Sequence, residues 1–151
     1  MIRRKLSQKI IEKEEYQIWN AFIDILAMED EKTLTDIQKN AQRAFKYESE
    51  VQNGGHVQYF ENINLNDYST IINSLKIIGA NEHAKLLEKA IKHYFKDRIK
   101  YIDTIKDLID ESLKDENLKM DFEYGEIKPD MNFYLKNYLN KYLEEFIEIV
   151  L

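Results

Sequence analysis

The chain has no cysteine, one proline and only four glycines among its 151 residues. The absence of cysteine excludes disulfides, thiolate nucleophiles and cysteine-based metal sites. Proline and glycine are the residues that most often interrupt helices, whereas Lys, Glu, Leu and Ile, which are plentiful here, favour them. The composition, with 44% hydrophobic and 33% charged residues, is neither disordered nor fibrous. We therefore expect a single mainly helical domain over residues 1–151.

A long apolar run is also missing. No stretch approaches the roughly 18 consecutive apolar residues of a membrane span. The first residues, MIRRKLSQKIIEKEE, are basic, but no apolar run of signal-peptide length follows them. These two absences predict a soluble cytoplasmic protein that does not bind membranes.

Negative charge is concentrated in the last third of the chain. The whole chain has a net charge of −6, and residues 101–151 alone contain 6 basic and 13 acidic side chains, a net charge of −7. Such a surface repels nucleic-acid phosphates and attracts basic partners. The alternative is that acidic helices only keep a small protein in solution.

Helical periodicity is present in six segments, which cover residues 7–26, 35–53, 69–78, 81–94, 99–113 and 130–146. Ser7 and Thr35 are positioned to cap the first two helices. Residues 115–130, DENLKMDFEYGEIKPD, are predicted to form a loop. The predicted fold is an all-α single-domain bundle of about six helices, with a glycine-broken bend after the second helix.

No pattern of residues indicates a catalytic or cofactor site. The three histidines, at positions 56, 83 and 93, are not spaced as a helical metal pair. There is no glycine-rich phosphate loop with its lysine, and no serine nucleophile elbow. The sequence therefore predicts a protein that is not an enzyme and that binds no metal or cofactor.

The two adjacent glycines lie in the stretch EVQNGGHVQYFEN, residues 50–62. A helix that ends at Asn53 needs a residue with positive φ just beyond it, and Gly54 is expected to supply it. Gln58 is then positioned to bind the unsatisfied carbonyls at the helix end, and Asn62 to do the same for the following loop. On these grounds the motif is mainly structural.

This stretch, followed by IINSLKIIGANEHAKLLEKAIKHYF, resembles a bacterial family first catalogued as a domain of unknown function, which includes an acidic DNA-mimic protein. The family pattern is Asn-Gly-Gly, an aromatic or similar residue, then x-Gln-x-Phe and Asn, and later a helix that ends in Ile-Gly-Ala. The matching positions here are Asn53, Gly54, Gly55, His56, Gln58, Tyr59, Phe60, Asn62, Ile78, Gly79 and Ala80. The resemblance covers residues 10–113 well and the last helix loosely.

The resemblance implies an all-α protein, often a homodimer. It also implies a protein partner, because the DNA-mimic member places surface carboxylates in the DNA-binding site of a transcription factor. Carboxylates spaced like phosphates can bind the Lys and Arg side chains of a DNA-binding protein.

Our primary hypothesis is a protein-interaction module whose acidic surface binds a basic DNA-binding protein. The candidate surface consists of Asp103, Asp107, Asp110, Glu111, Asp115 and Glu116. The first three are spaced to line one helix face. A second hypothesis is an immunity protein or antitoxin that blocks a toxin enzyme. A third is a small-ligand pocket around His56, Gln58 and Tyr59.

Overall fold

The computed structural model describes the backbone of residues 1–63, 68–100 and 106–151, and the side chains of these ranges apart from 96–100 and 106–115. Within these ranges the chain forms eight α-helices and two short strands. In chain order they are β1 (Arg4–Ser7), α1 (Gln8–Lys13), α2 (Tyr16–Met28), α3 (Asp36–Asn62), α4 (Tyr68–Ile77), α5 (Asn81–Lys100), α6 (Lys106–Glu126), α7 (Met131–Lys141), α8 (Leu143–Phe146) and β2 (Ile147–Val150). The predicted all-α single domain is confirmed.

Helix α3 lies at the centre of the bundle and packs against α2, α4, α6 and α7. Its start is fixed by a capping box: the Thr35 side chain accepts from Gln38 N at 3.3 Å, and Gln38 Oε1 accepts from Thr35 N at 3.0 Å. Its inner face carries Ala41, Ala44 and Tyr47, all fully buried. Small residues on this face let the neighbouring helices approach closely.

The two strands pair in parallel and join the first and last elements of the described chain. Arg4 is opposite Ile147 and Ser7 is opposite Val150. The buried Gln38 side chain supports this pairing, because its Nε2 donates to Ile2 O at 2.6 Å and to Glu145 O at 2.7 Å. The helical periodicity had indicated no strand in either segment.

Two boundaries differ from those predicted. The first predicted helix is divided into α1 and α2 at Glu14 and Glu15, where Glu14 has a non-helical φ of −140°. The loop predicted over 115–130 is wrong for most of its length, because α6 continues to Glu126. The predicted fifth helix, 99–113, includes residues 101–105, which lie outside the described residues.

The end of α6 is buried against the bundle on one side. Asn117, Met120 and Tyr124 are each less than 5% exposed. Their spacing of three and four residues places them on one helix face. This face meets α3 and α5. The last third of the chain therefore contributes a core helix where a loop was expected.

Candidate functional site at the glycine bend

The two glycines lie inside α3, where the helix is kinked. Gly55 has φ 79° and ψ −178°, a non-helical conformation between two helical segments. This region of φ/ψ space is essentially restricted to glycine. The positive φ was expected at Gly54, but the structure has it at Gly55.

Each glycine leaves room for one particular side chain. A Cβ at position 54 would overlap the side-chain amide of Gln58. A Cβ at position 55 would lie 2.8 Å from Cγ of Asp121 and closer still to its Oδ2. Because Gly54 has no side chain, the Gln58 amide of the next helical turn can lie against it. In the same way, Gly55 leaves space for the Asp121 carboxylate of α6.

His56 connects the bend to α6. Its backbone N donates to Asp121 Oδ1 at 2.9 Å, and its ring Nδ1 lies 2.7 Å from the same oxygen. Its other ring nitrogen, Nε2, is 2.7 Å from the Tyr47 hydroxyl. A neutral ring that donates through Nδ1 and accepts at Nε2 satisfies both contacts. Both ring nitrogens are thereby engaged within the protein.

Glu50 precedes the bend, and its carboxylate is held by the side-chain amides of two residues that follow the bend. Gln58 Nε2 and Asn62 Nδ2 each donate to Glu50 Oε2 at 2.9 Å. The expectation that Gln58 and Asn62 bind backbone carbonyls is therefore wrong. Both amides instead fix a carboxylate across the kink.

Glu48 is held by a phenol from α6. The Tyr124 hydroxyl donates to Glu48 Oε2. Burial, with the nearby Glu48 charge, raises the pKa of Tyr124 far above its usual value. The phenol therefore remains protonated and continues to donate. Gln52 Nε2 adds a second, longer contact to Glu48 Oε1 at 3.3 Å.

These three carboxylates, Glu48, Glu50 and Asp121, share one property and are named here the bend carboxylates. Each is partly exposed, and each is fixed by hydrogen bonds from amide, phenol or imidazole groups. Over the described side chains, no Lys or Arg lies within ion-pair distance of any of them. Their negative charge is oriented by hydrogen bonds and, among the described side chains, is not paired with a Lys or Arg.

The rings beneath the bend form an aromatic cluster. The Tyr47 ring centroid is 5.5 Å from that of His56, 5.0 Å from Tyr59 and 5.3 Å from Tyr124. His56, Tyr47 and Tyr59 are fully buried. The small-ligand hypothesis gains no support from this arrangement, because the engaged His56 ring has no nitrogen left for a ligand.

The predicted acidic surface lies mostly outside what the structure describes. Asp103 is among the undescribed residues. The backbone of Asp107, Asp110, Glu111 and Asp115 belongs to α6, but their side chains are not described. Glu116 is exposed, and its Oε1 lies 3.1 Å from Lys119 Nζ.

The family-motif positions separate by role in the structure. Tyr59, Phe60, Ile78 and Ala80 are core residues. Gly79 has φ 94° in the turn between α4 and α5. Asn53 is exposed beside the kink. The remaining positions are Gly54, Gly55, His56, Gln58 and Asn62, and they hold the bend carboxylates or make room for the contacts that hold them.

Sequence reasoning missed Tyr47, Glu48, Glu50, Asp121 and Tyr124 as members of this site. The sequence does contain a signal for the α6 residues of the site: positions 117, 120, 121 and 124 are spaced as on one face of a helix. No comparable signal pairs a residue of α6 with the bend, because that contact spans 65 positions.

The described residues were also compared with the requirements of metal sites and membrane-spanning helices. Over the described side chains, no group of three or more His, Cys, Asp or Glu residues is arranged to hold a metal ion. Among the described helices, none is both long enough and apolar enough to span a bilayer.

Comparison with known proteins gives one match. The family described as DMP19-like protein matches residues 32–148. This range includes the whole bend and all three carboxylates. No curated protein matches the chain, and neither does any solved structure.

Proposed function

The chain belongs to the DMP19-like family, a family of DNA-mimic proteins, and on that premise we propose that it is a non-enzymatic module that binds a basic DNA-binding protein. The binding groups are the bend carboxylates, together with the acidic residues predicted on α6 and its approach. The observation that carries the proposal is the orientation of Glu48, Glu50 and Asp121 by donors that leave their charge intact.

Fixed carboxylates suit this function for a physical reason. A flexible surface glutamate loses side-chain entropy when it binds an arginine, so that exposed ion pairs contribute little. Glu50 is already held by two amides and Glu48 by a phenol. Less ordering then remains to be done on binding, and preorganisation of this kind increases affinity.

The lack of Lys and Arg around the bend carboxylates, within the part of the chain that the structure describes, matters equally. Elsewhere on the described surface, several acidic side chains are paired with bases, for example Glu31 with Arg43 at 2.6 Å and Glu123 with Lys89 at 3.0 Å. Among the described side chains, no Lys or Arg pairs with a bend carboxylate. A Lys or Arg supplied by another protein would therefore not have to displace a described internal Lys or Arg.

A pull-down tests the proposal: the chain is immobilised, and the basic proteins that it retains from a lysate of the native host are measured. The variant E48Q/E50Q removes two charges, and each Gln retains a side-chain oxygen that can accept the existing hydrogen bonds. E12Q/E15Q, on exposed residues at the end of α1 and the start of α2, removes the same charge elsewhere and is the matched control. We expect E48Q/E50Q to lose most of the captured protein and the control to retain it.

The salt dependence of capture and the identity of the captured protein provide two further readouts. Capture by the unmodified chain should weaken steeply between 50 and 200 mM salt, at concentrations on the order of those that weaken DNA complexes. Mass spectrometry should identify a DNA-binding protein among those retained. Equal capture by E48Q/E50Q and E12Q/E15Q would contradict the proposal, and a toxin enzyme as the sole partner would support the immunity hypothesis instead.

A further inference from the structure

The two oxygens of a bend carboxylate are not equivalent at Glu50 and Asp121. Glu50 Oε2 accepts hydrogen bonds from Gln58 Nε2 and from Asn62 Nδ2, each at 2.9 Å. Asp121 Oδ1 accepts from the backbone N of His56 at 2.9 Å and lies 2.7 Å from the ring Nδ1 of the same residue. Among the described groups, no donor binds Glu50 Oε1 or Asp121 Oδ2. In each carboxylate, one oxygen therefore receives both hydrogen bonds that come from described residues.

This arrangement limits what the two carboxylates can still accept. An ionised carboxylate has about four lone-pair sites, two on each oxygen. Both sites of Glu50 Oε2 and both sites of Asp121 Oδ1 are occupied. The open Oδ2 of Asp121 is also covered on one side by Gly55, where a Cβ would overlap it. Each of these carboxylates thus offers an incoming cation a single oxygen.

The third bend carboxylate, Glu48, is less restricted. The Tyr124 hydroxyl donates to its Oε2, and Gln52 Nε2 donates to its Oε1 at 3.3 Å. Each oxygen of Glu48 therefore keeps one lone-pair site. The restriction to a single open oxygen applies to Glu50 and Asp121.

Lysine and arginine differ in what they require of a carboxylate. An arginine guanidinium binds most strongly as a fork, with one N–H donated to each oxygen of the same carboxylate. A lysine ammonium is a compact point charge that can bind through one oxygen. At Glu50 an arginine fork would need a third hydrogen bond at Oε2, for which no lone pair is left. An arginine there loses its second hydrogen bond, whereas a lysine loses nothing.

We propose that the bend carboxylates select lysine over arginine on the partner, and that Gln58 and Asn62 set this selectivity because they occupy Glu50 Oε2. The inference rests on the function proposed above and specifies the partner's contact residues by their chemistry. Proteins that bind phosphates use both lysine and arginine. The selectivity narrows the class of partner to DNA-binding proteins whose exposed basic residues at the contact are lysines.

Two labelled peptides test the selectivity. One contains lysines separated by Gly-Ser pairs, and the other contains arginines at the same positions. Their dissociation constants are measured by fluorescence anisotropy at low salt. For the unmodified chain we expect the lysine peptide to bind more tightly by about two- to fivefold, a factor of the size that exposed ion pairs contribute. E48Q/E50Q should weaken the binding of both peptides, and E12Q/E15Q should weaken neither.

Asn62→Ala tests where the selectivity arises. Asn62 is exposed, and removing its amide frees one lone pair of Glu50 Oε2, which is enough to complete an arginine fork. We expect N62A to bind the arginine peptide at least as tightly as the lysine peptide. Asn53→Ala is the matched control, because Asn53 is an exposed asparagine of the same helix that donates to no bend carboxylate among the described contacts. It should keep the selectivity of the unmodified chain, and circular dichroism establishes that both variants are folded.

The possible results separate this inference from the proposed function. If the unmodified chain binds the arginine peptide as tightly as the lysine peptide or more tightly, and E48Q/E50Q binds neither, the selectivity is overturned and the proposed function stands. A ratio of the two dissociation constants that is the same in N62A and in the unmodified chain would overturn the role of Asn62. Equal binding of both peptides by E48Q/E50Q and E12Q/E15Q would contradict the proposed function, and this inference with it.

Discussion

Replacing Gly55 with alanine tests the geometry of the bend most severely. At φ 79° and ψ −178° the backbone is in a region essentially reserved for glycine. Holding an alanine there costs about 1–3 kcal/mol. This strain arises whatever the surroundings are.

A second penalty comes from Asp121. The new Cβ would lie 2.8 Å from Asp121 Cγ, so that the carboxylate must move. Moving it lengthens its contacts with His56, at 2.9 Å to the backbone N and 2.7 Å to Nδ1. Hydrogen bonds to charged groups contribute about 1.5–3 kcal/mol each, and the partial exposure of Asp121 reduces this loss to about 1–3 kcal/mol in total.

The two effects together predict that Gly55→Ala lowers the free energy of unfolding by about 2–6 kcal/mol. This is a large part of the roughly 5–15 kcal/mol that stabilises an ordinary domain. Urea titration followed by circular dichroism measures the change. A low protein concentration keeps self-association from contributing to the result.

Other glycines of the chain provide the controls. Gly79→Ala meets strain at φ 94° but only an ordinary contact, 3.5 Å from Tyr134, so that its loss should be about 1–3 kcal/mol. Gly125→Ala introduces neither backbone strain nor a close contact, so that the free energy of unfolding should be unchanged or should rise by up to about 1 kcal/mol. A Gly55→Ala protein as stable as Gly79→Ala would refute the proposed role of Asp121 at the bend.

Two further predictions concern buried side chains: Tyr124 on α6, and His83, whose ring lies 5.2 Å from that of Tyr124. Tyr124→Phe should lower the free energy of unfolding by about 0.5–2 kcal/mol, because Glu48 loses its phenol donor; a loss no greater than that of exposed Tyr16→Phe in the same urea titration would contradict this. His83 is buried, and burial lowers its pKa from 6.5 to about 4. Because the unfolded chain binds that proton first, stability should fall as the pH is lowered from about 6.5 to about 4. His83→Gln should remove part of this pH dependence, and an unchanged pH profile would refute the assignment.

The helical fold was predictable because its signals are local. Thr35 caps α3 as predicted, and Ser7 accepts from Ile10 N at 3.2 Å as the predicted cap of a helix that begins at Gln8. The parallel strands were not predictable in this way. Their four-residue segments resemble helix ends, and their pairing joins residues more than 140 positions apart.

The loop predicted over 115–130 shows a different limit. This stretch contains Asp115, Asn117, Asp121 and Gly125, which are weak helix formers. Burial of Met120 and Tyr124 against α3 and α5 outweighs those local preferences. Tertiary packing of this kind is not visible in a window of sequence.

The glycine bend could be located from the sequence, but the carboxylates around it could not, and the predicted partner-binding surface lay elsewhere, on residues 103–116. The motif from Asn53 to Asn62 pointed to the bend, and its glycines and amides were assigned structural roles. Their contacts were missed because the groups they hold come from elsewhere: Asp121 lies 65 positions from His56, and Glu50 lies 8 from Gln58 across a kink whose angle the sequence does not specify.

The most direct test of the central claim is competition with duplex DNA for the captured host protein. Fluorescence anisotropy of labelled duplex bound to that protein is followed as the chain is added. If the bend carboxylates occupy the DNA-binding surface, the unmodified chain releases the duplex, E48Q/E50Q releases it far less readily, and E12Q/E15Q behaves as the unmodified chain does. Simultaneous binding of duplex and chain, with anisotropy that does not fall, would contradict the claim.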